Sequence, residues 1–278
     1  MSTHILLGSN KSVHLKSWKV DQPDERDFIL KTNPTDILHA APVMIDNSKF
    51  CSPIDDQGSI GSCTAHVTTA ILEYNDNRFG VKKGYKNLSR LFQYYVTREM
   101  EGTINQDSGA TMRNAIKSLN SFGTVDESFW GYDITKFLVK PSQNVYDNAK
   151  LHKIVDYYRI NNGDITTMKA ALATGYLIAF GAIAFTHLMD PETSKSAVYG
   201  LPGPKDIAEG GHALTMVGYE DSRKLRNRNG EITTGAFKIR NSWGRAWGQK
   251  GYFWMPYEFI KNTQYAMDFW VVRSTLER

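Results

Sequence analysis

Hydrophobic residues recur at helical spacing through much of the first half of the chain. From Cys63 onward, apolar side chains fall three or four residues apart, which predicts a helix that buries one face. The same spacing predicts a helix over residues 89–100 with Ser89 as its N-cap. It also predicts a helix over 110–122, where Gly123 occupies the position of a C-terminal cap glycine. The first half is therefore expected to be mainly helical.

The pattern changes after about residue 150. A short helix is predicted over 166–174, and the apolar run 177–185 has the length of a buried strand. Asn229-Gly230 is typical of a hairpin turn. Further strands are predicted where short segments rich in aromatic and β-branched residues stand between glycine, asparagine and aspartate: 212–219, 236–241, 251–255 and 267–272.

The two halves together predict an α+β protein with two lobes. We expect a helical lobe at 51–150, a lobe of antiparallel strands at 151–278, and the functional site in the cleft between them. Residues 1–50 are polar and contain three prolines, with little periodicity. They are expected to form an irregular N-terminal extension.

Composition and charge exclude several classes of function. The chain has 278 residues, of which 41% are hydrophobic and 22% charged, as in ordinary folded domains. Its net charge of +4 is spread along the chain, which argues against nucleic-acid binding. No apolar stretch reaches the roughly 18 residues of a membrane span, and no secretory signal is expected at the N-terminus. Metal-ligand spacings and phosphate-binding glycine motifs are absent, so we expect no metal and no cofactor.

The two cysteines, Cys51 and Cys63, are too few for a disulfide framework. We therefore expect a reducing compartment, either intracellular (cytoplasmic) or virion-associated. Cys51 is interpreted as a small, inert residue that is buried or half-buried. The alternative is a reversible protective bridge between the two cysteines, which would require their Cα atoms to lie within about 7 Å.

Cys63 stands where a glycine-bearing loop becomes a helix. Free N–H groups and the helix dipole favour the reactive thiolate at this position. Gly61 would allow a substrate carbonyl to approach the backbone, and the amide of Gln57 could donate to an oxyanion beside the Cys63 N–H. The alternative is a buried structural cysteine on an amphipathic helix.

A thiolate nucleophile requires a base, and the base requires an orienting partner. His212 begins a predicted strand directly after Gly211, and Asn241 follows another strand. The amide oxygen of Asn241 could accept from the imidazole and fix its tautomer. Trp243 would shield that hydrogen bond from water.

Together these segments closely resemble the papain family of cysteine proteases. The segments around Gln57, Cys63, His212 and Asn241 match the family's nucleophile, histidine and asparagine motifs, in the family's order. Cys63 and His212 are 149 residues apart, against roughly 130–150 in this family. The resemblance covers nearly all of residues 50–278. It implies a helical left lobe, a right lobe with an antiparallel β-barrel, and an active-site cleft between them.

The resemblance also implies a mechanism and a substrate site. Cys63, His212, Asn241 and Gln57 would be the catalytic set of a peptidase that works through a thioester acyl-enzyme. Ser108 and Gly109, the remnant of a glycine-rich motif, would bind the substrate backbone. Gly211 would help to form the pocket for the side chain that precedes the scissile residue, with an apolar occupant.

Two departures from the family pattern flank the nucleophile. Ile60 stands where extracellular members have a disulfide cysteine, and Thr64 replaces the usual tryptophan after the nucleophile. Neither change removes a catalytic group, and together they suggest a short, disulfide-free microbial or viral type. His66 lacks an evident orienting acceptor and is interpreted as a surface or cleft-edge residue without a catalytic role.

The N-terminal extension contains a second resemblance. Trp18, Asp21, Pro23-Asp24 and Arg26-Asp27 match a stretch found ahead of the nucleophile in short microbial and viral papain-like proteins. The hypothesis is that part of residues 1–40 lies along the cleft and restricts access, as a short propeptide. The alternative is an arm packed on the back of the molecule.

The predicted function is hydrolysis of peptides or proteins by a monomeric endopeptidase. One alternative is an acyl transferase or ligase on the same scaffold, which shares the acyl-enzyme. The other is an inactive papain-like binding protein, which the intact catalytic set disfavours.

Overall fold

The computed structural model describes residues 4–7, 11–14, 17–31, 42–80 and 87–273. Its helices are α1 (Cys63–Phe79), α2 (Arg90–Met100), α3 (Met112–Ser121), α4 (Gln143–Ala149), α5 (Ile165–Ala173), α6 (Pro191–Ser196) and α7 (Tyr257–Lys261), with short 3-10 turns at Ser48–Phe50, Ile134–Lys136 and Thr186–Met189. Its strands are β1 (His4–Leu7), β2 (Lys11–His14), β3 (Trp18–Lys19), β4 (Met44–Asp46), β5 (Ala110–Thr111), β6 (Asp156–Ile160), β7 (Ile178–Phe185), β8 (Ala208–Arg226), β9 (Ile232–Arg240), β10 (Tyr252–Pro256) and β11 (Ala266–Arg273).

Helix α1 is buried all round rather than on one face. Every side chain from Cys63 to Asn75 is buried, because α2 and α3 pack on one side and β7 and β8 on the other. Two threonines in this stretch satisfy their hydroxyls within the helix: Thr68 donates to the carbonyl of Thr64 at 3.0 Å, and Thr69 donates to the carbonyl of Ala65 at 2.7 Å. The start of this helix is therefore held rigidly between the two lobes.

The second half forms an antiparallel sheet in the order β10-β9-β8-β7-β11-β6, with β4 paired to β8. Register shifts between Met216 and Gly218, and again between Glu220 and Lys224, let the long strand β8 bend. Aromatic and aliphatic side chains of this sheet form the largest buried cluster, away from α1. The predicted α+β class and two-lobe organisation are confirmed.

The predictions for residues 110–122 and for the N-terminal extension also need correction. The helix predicted over 110–122 begins later, at Met112, because Ala110–Thr111 pair as β5 with β3 of the N-terminal segment. Thr111 then caps the helix by accepting a hydrogen bond from the N–H of Asn114 at 3.2 Å. The N-terminal extension is not irregular throughout, since it contains the β1–β2 hairpin, β3 and β4.

The described residues also bear on membrane and metal binding. Across these ranges, no helix combines the length and the apolar character needed to cross a bilayer. The same part of the chain contains no cluster of three or more His, Cys, Asp or Glu side chains placed to hold a metal ion.

Candidate active site

Cys63 is the first residue of α1 and its side chain is fully buried. Its Sγ lies 3.0 Å from Oγ of Ser17 and accepts a hydrogen bond from the N–H of Ala213 at 3.3 Å. Hydrogen bonds and the helix N-terminus favour the thiolate, but loss of solvent outweighs them and raises the pKa of Cys63 to about 11. In this state the side chain is a neutral thiol.

His212 lies on β8 and is also fully buried. Its Nε2 donates to Oδ1 of Asn241 at 2.8 Å, and the ring of Trp243 stacks on the imidazole with centroids 4.7 Å apart. Oδ1 also accepts from the N–H of Ser242 at 2.8 Å, which fixes the oxygen towards the histidine. Nδ1 has no protein partner among the described residues and is left as a bare acceptor. Burial lowers the pKa of His212 to about 4, so the imidazole is neutral as well.

Gln57 is fully buried, and both ends of its amide group are hydrogen-bonded. Its Oε1 accepts from Oγ of Ser242 at 2.7 Å, and its Nε2 donates to the carbonyl of Ile60 at 3.2 Å. The hydroxyl of Tyr132 donates to the Gln57 carbonyl at 2.8 Å. The amide nitrogen carries a second N–H, which is the group required to stabilise an oxyanion.

A buried ion-pair network anchors the loop that precedes Cys63. Arg90 is 1% exposed, and its guanidinium donates to Asp55 at 2.6 Å and to Glu73 of α1 at 2.9 Å. Glu73 also accepts the N–H of Leu88 at 2.8 Å. The loop that precedes Cys63 and the helix that follows it are thereby tied to each other through Arg90.

The predicted substrate-binding segment is joined to the loop that precedes Cys63. Asp107 accepts from the N–H of Gly61 at 2.9 Å and from the hydroxyl of Tyr94, which links the two segments. Gly109 donates its N–H to the same tyrosine at 3.2 Å and has a φ of +63°. The Ser108 hydroxyl hydrogen-bonds to Oγ1 of Thr103 and to the Gly109 carbonyl.

Residues 17–31, which we call the arm, enter this cleft. The carbonyl of Ser17 accepts from the N–H of Ala110 at 3.0 Å, beside the predicted substrate-binding pair. Trp18 is 5% exposed and its indole fills a slot between two glycines. A Cβ at Gly181 would lie 1.9 Å from the indole, and one at Gly211 2.6 Å from it. The slot exists because both residues lack side chains.

Further along the arm, Asp21 is inserted between the lobes. Its two carboxylate oxygens accept from the N–H of Arg113 at 3.0 Å and from the indole N–H of Trp270 at 2.9 Å. Its own N–H donates to the carboxylate of Asp268 on β11 at 2.8 Å. The arm therefore contacts both α3 and the sheet.

Ion pairs complete this attachment. Arg113 pairs with Asp27 of the arm at 2.6 Å, and Arg159 pairs with Asp268 at 2.8 Å and with Asp27 at 3.2 Å. With Asp21, these residues form what we call the anchor cluster: Asp21, Asp27, Arg113, Arg159 and Asp268. It holds three carboxyl groups against two guanidinium groups.

Sequence reasoning missed several residues around the site. His66 was expected at the surface or cleft edge, which is wrong: it is 4% exposed, because α1 is buried on all sides. Ser242 and Tyr132, which fix the Gln57 amide and carbonyl, were also missed. Ser242 lies inside the recognised asparagine motif, whereas nothing in the local sequence marks Tyr132 or Ser17.

This arrangement of a helix-borne cysteine, a strand-borne histidine and its asparagine, set between a helical lobe and an antiparallel sheet, defines a papain-like cysteine peptidase. Residues 41–271 match the model of the papain family of cysteine proteases. The chain belongs to this family. Both of its cysteines, Cys51 and Cys63, are free thiols.

The chain is similar to several known proteins. It is 36% identical to an uncharacterized peptidase C1-like protein of Acanthamoeba polyphaga mimivirus, over 92% of this chain and 86% of that protein. It is 27% identical to cysteine proteinase 3 of Entamoeba histolytica, over 78% of this chain and 63% of that protein. The crystal structure of xylellain, a cysteine protease from Xylella fastidiosa, superposes with a TM-score of 0.82 at 34% identity, covering 99% of both chains.

Proposed function

We propose that Cys63 is the nucleophile of this peptidase, with His212 as its base. The thiol proton passes to Nδ1 of His212 while Sγ bonds to the scissile carbonyl carbon. The oxyanion is held by the Cys63 N–H and the Gln57 amide. The imidazolium, oriented by Asn241, returns the proton to the leaving amine, and a thioester remains. Water, deprotonated by His212, then attacks the thioester carbonyl carbon. The C–S bond breaks, the acid is released, and the Cys63 thiolate takes the proton back from the imidazolium.

The hydrogen bond from His212 Nε2 to Asn241 Oδ1 carries this proposal. Because that bond places the proton on Nε2, it leaves Nδ1 free to accept from a thiol. Sγ of Cys63 is within hydrogen-bonding reach of the backbone of Ala213, the residue next to the histidine. A structural cysteine would not require a histidine fixed in that tautomer.

Intact-mass labelling with an epoxide inhibitor tests the nucleophile. We expect one slow adduct on the wild-type chain under reducing conditions. The adduct should be absent in Cys63→Ala and retained in the matched control Cys51→Ala, because burial raises the pKa of Cys51 and no base contacts it in the described structure. Labelling that persists in Cys63→Ala would contradict the proposal. Failure of every form to label, even after prolonged incubation, would favour the inactive binding fold.

We further propose that the arm keeps the enzyme latent until it is displaced or removed. The contact of Ser17 with Sγ of Cys63 and the burial of Trp18 against Gly211 support this. A substrate backbone cannot reach Gly109 while the Ser17 carbonyl lies against it, since even a Cβ at Gly109 would lie 2.3 Å from that oxygen.

The path of the arm also supports endopeptidase action. The chain continues on both sides of the nucleophile, through β1 beside the turn at Thr186–Met189 and through residues 19–31 beside the sheet. A cleft that accepts a chain running past Cys63 in both directions can bind the middle of a polypeptide. The slot that holds Trp18 would then accept an apolar side chain of the substrate.

The anchor cluster should make latency depend on pH. Burial, followed by the charge of Asp21, raises the pKa of Asp268 to about 6 from 3.8, and burial also raises the pKa of Asp21. The docked state therefore binds more protons than the released state. Protonation of these carboxyl groups therefore stabilises the docked arm. This stabilisation is complete below pH 3.8 and is lost as the pH rises through about 6.

We expect the epoxide labelling rate of the wild type, divided by that of a Trp18→Ala chain, to rise about tenfold between about pH 5 and about pH 7.5. Dividing by the opened chain removes the intrinsic pH dependence of the thiol. Asp268→Asn, which is neutral at every pH, should flatten the ratio. A ratio that falls with rising pH would contradict this assignment.

Hydrolysis and acyl transfer share the thioester, so product analysis must separate them. We propose that water is the acceptor, and a peptide substrate incubated with an added amine should then yield mainly the acid. Predominant amide formation would favour the transferase alternative. We also propose that the enzyme works in a reducing compartment, since its nucleophile must remain a thiol.

A further inference from the structure

His66 lies one turn after Cys63 on α1 and takes a defined tautomer. Its Nδ1 is 3.1 Å from the carbonyl of Ser62, and because a carbonyl can only accept, Nδ1 carries the proton. Burial and the charge of Arg90 lower the pKa of His66 to about 3, so the ring is neutral. Nε2 is therefore a buried acceptor, and it has no protein partner among the described residues.

Asn241 presents the complementary group. Its Oδ1 is used twice, by Nε2 of His212 and by the N–H of Ser242. This assigns Nδ2 as the amide donor. Nδ2 is buried and, like Nε2 of His66, lacks a protein partner within the described part of the chain. A buried donor or acceptor of this kind is unfavourable if it is left without a hydrogen-bond partner.

His66 and Asn241 line the same small cavity, together with Ala213, the residue after His212. Its volume, measured as the space open to the centre of a water-sized sphere, is about 10 Å³, which is about the minimum needed to hold one water molecule. Polar side chains supply much of the remaining lining: Asp55, Thr215, Arg240 and Ser242. An apolar cavity of this size would stay dry, whereas this one has at least two buried groups that need a partner.

We infer that the cavity binds one water molecule, which accepts from Nδ2 of Asn241 and donates to Nε2 of His66, and that His66 is a positioning residue for Asn241. The inference rests on the proposed orienting role of Asn241. By taking one hydrogen of the water, His66 turns a lone pair towards the asparagine amide. The amide is then held from both ends, with Oδ1 on His212 and Nδ2 on the water.

A high-resolution crystal structure of the full-length chain tests the binding site directly. We expect an ordered water within hydrogen-bonding distance of both Nε2 of His66 and Nδ2 of Asn241. In a His66→Phe crystal we expect that water to be lost and the Asn241 amide to be displaced or rotated. An empty cavity in the wild type, or an unmoved amide in His66→Phe, would overturn the inference.

Kinetics test the positioning role, using a full-length Trp18→Ala parent whose cleft is open. His66→Phe keeps an aromatic ring against Tyr132, whose centroid lies 5.0 Å away, but removes the acceptor. We expect kcat to fall about three- to tenfold with KM unchanged, since one net hydrogen bond is lost. The acidic limb of the pH profile, where protonation of the His212 base abolishes activity, should move down by about half a unit, because the imidazolium of His212 is less well stabilised. His66→Gln, which can place an amide oxygen near the same site, should restore most of kcat.

Each outcome separates this role from its alternatives. If His66 is purely structural, His66→Phe and His66→Gln should both lower the thermal stability without moving the acidic limb of the pH profile. That result would overturn the positioning role. If the Trp18→Ala parent hydrolyses no peptide, the proposed function fails instead. The two crystal structures then still decide whether His66 and a water hold Asn241.

Discussion

Replacing Trp18 with alanine in the full-length chain should speed epoxide labelling of Cys63 by about two to three orders of magnitude. The indole is 5% exposed in its slot, and truncating a buried tryptophan costs about 3–5 kcal/mol. Each 1.4 kcal/mol is about tenfold in an equilibrium, so the released fraction rises steeply until the arm is mostly free. The second-order labelling rate constant, followed by intact mass, measures the change.

The arm itself provides a matched control for this experiment. Phe28 is 73% exposed, so Phe28→Ala should leave the labelling rate unchanged although it removes a large apolar side chain from the same segment. Trp18→Phe should fall between the wild type and Trp18→Ala. Equal rates for Trp18→Ala and the wild type, with both chains folded by thermal unfolding, would show that the arm does not limit access to Cys63.

Removing the base should lower the reactivity of the site, by more than opening the arm raises it. In the opened Trp18→Ala chain, His212→Ala should lower kcat for a short apolar peptide by about four to six orders of magnitude, because no group remains to take the thiol proton. Asn241→Ala keeps the base and loses only its orientation and hydrogen bond, so its loss should be smaller. Steady-state hydrolysis of the same peptide by all three chains gives the comparison.

Chemical rescue sharpens that test. Added imidazole should restore part of the activity of His212→Ala, since it can enter the space that the side chain leaves, and it should leave Asn241→Ala unchanged. If kcat of the His212→Ala chain were within about tenfold of that of its parent, another residue would have to be the base.

Local chemistry explains which elements could be predicted. The helix starting at Cys63 and the Ser89 cap of α2 are confirmed, because period and capping are properties of neighbouring residues; the Ser89 hydroxyl accepts from the N–H of Phe92 at 3.1 Å. The two strands next to His212 and Asn241 follow in the same way from short apolar runs between turn residues, but their boundaries were wrong: β8 spans Ala208–Arg226 instead of 212–219, and β9 spans Ile232–Arg240 instead of 236–241. The roles of Cys63 and its partners remain predictions from motif order, to which the geometry now adds the tautomer.

The failures all involve contacts between distant parts of the chain. Ala110–Thr111 have a helical pattern but form a strand, since their partner is Trp18–Lys19, which no local window includes. His66 was placed near the surface because a helical period cannot show that packing surrounds α1. The hydroxyl of Ser242 meets the Gln57 amide 185 residues away, so its role is visible only in the folded chain.

The arm and its cleft belong to one polypeptide, and this connectivity changes what the docking contacts need to achieve. A tethered segment faces its site at an effective concentration on the order of millimolar, so even a weakly binding sequence keeps the cleft filled. One peptide-bond cleavage on the C-terminal side of residue 31 would leave every contact of Trp18 and Asp21 in place. The cleavage would nevertheless turn docking from an intramolecular equilibrium into a bimolecular one. At enzyme concentrations far below millimolar, the freed segment would dissociate and would not bind again.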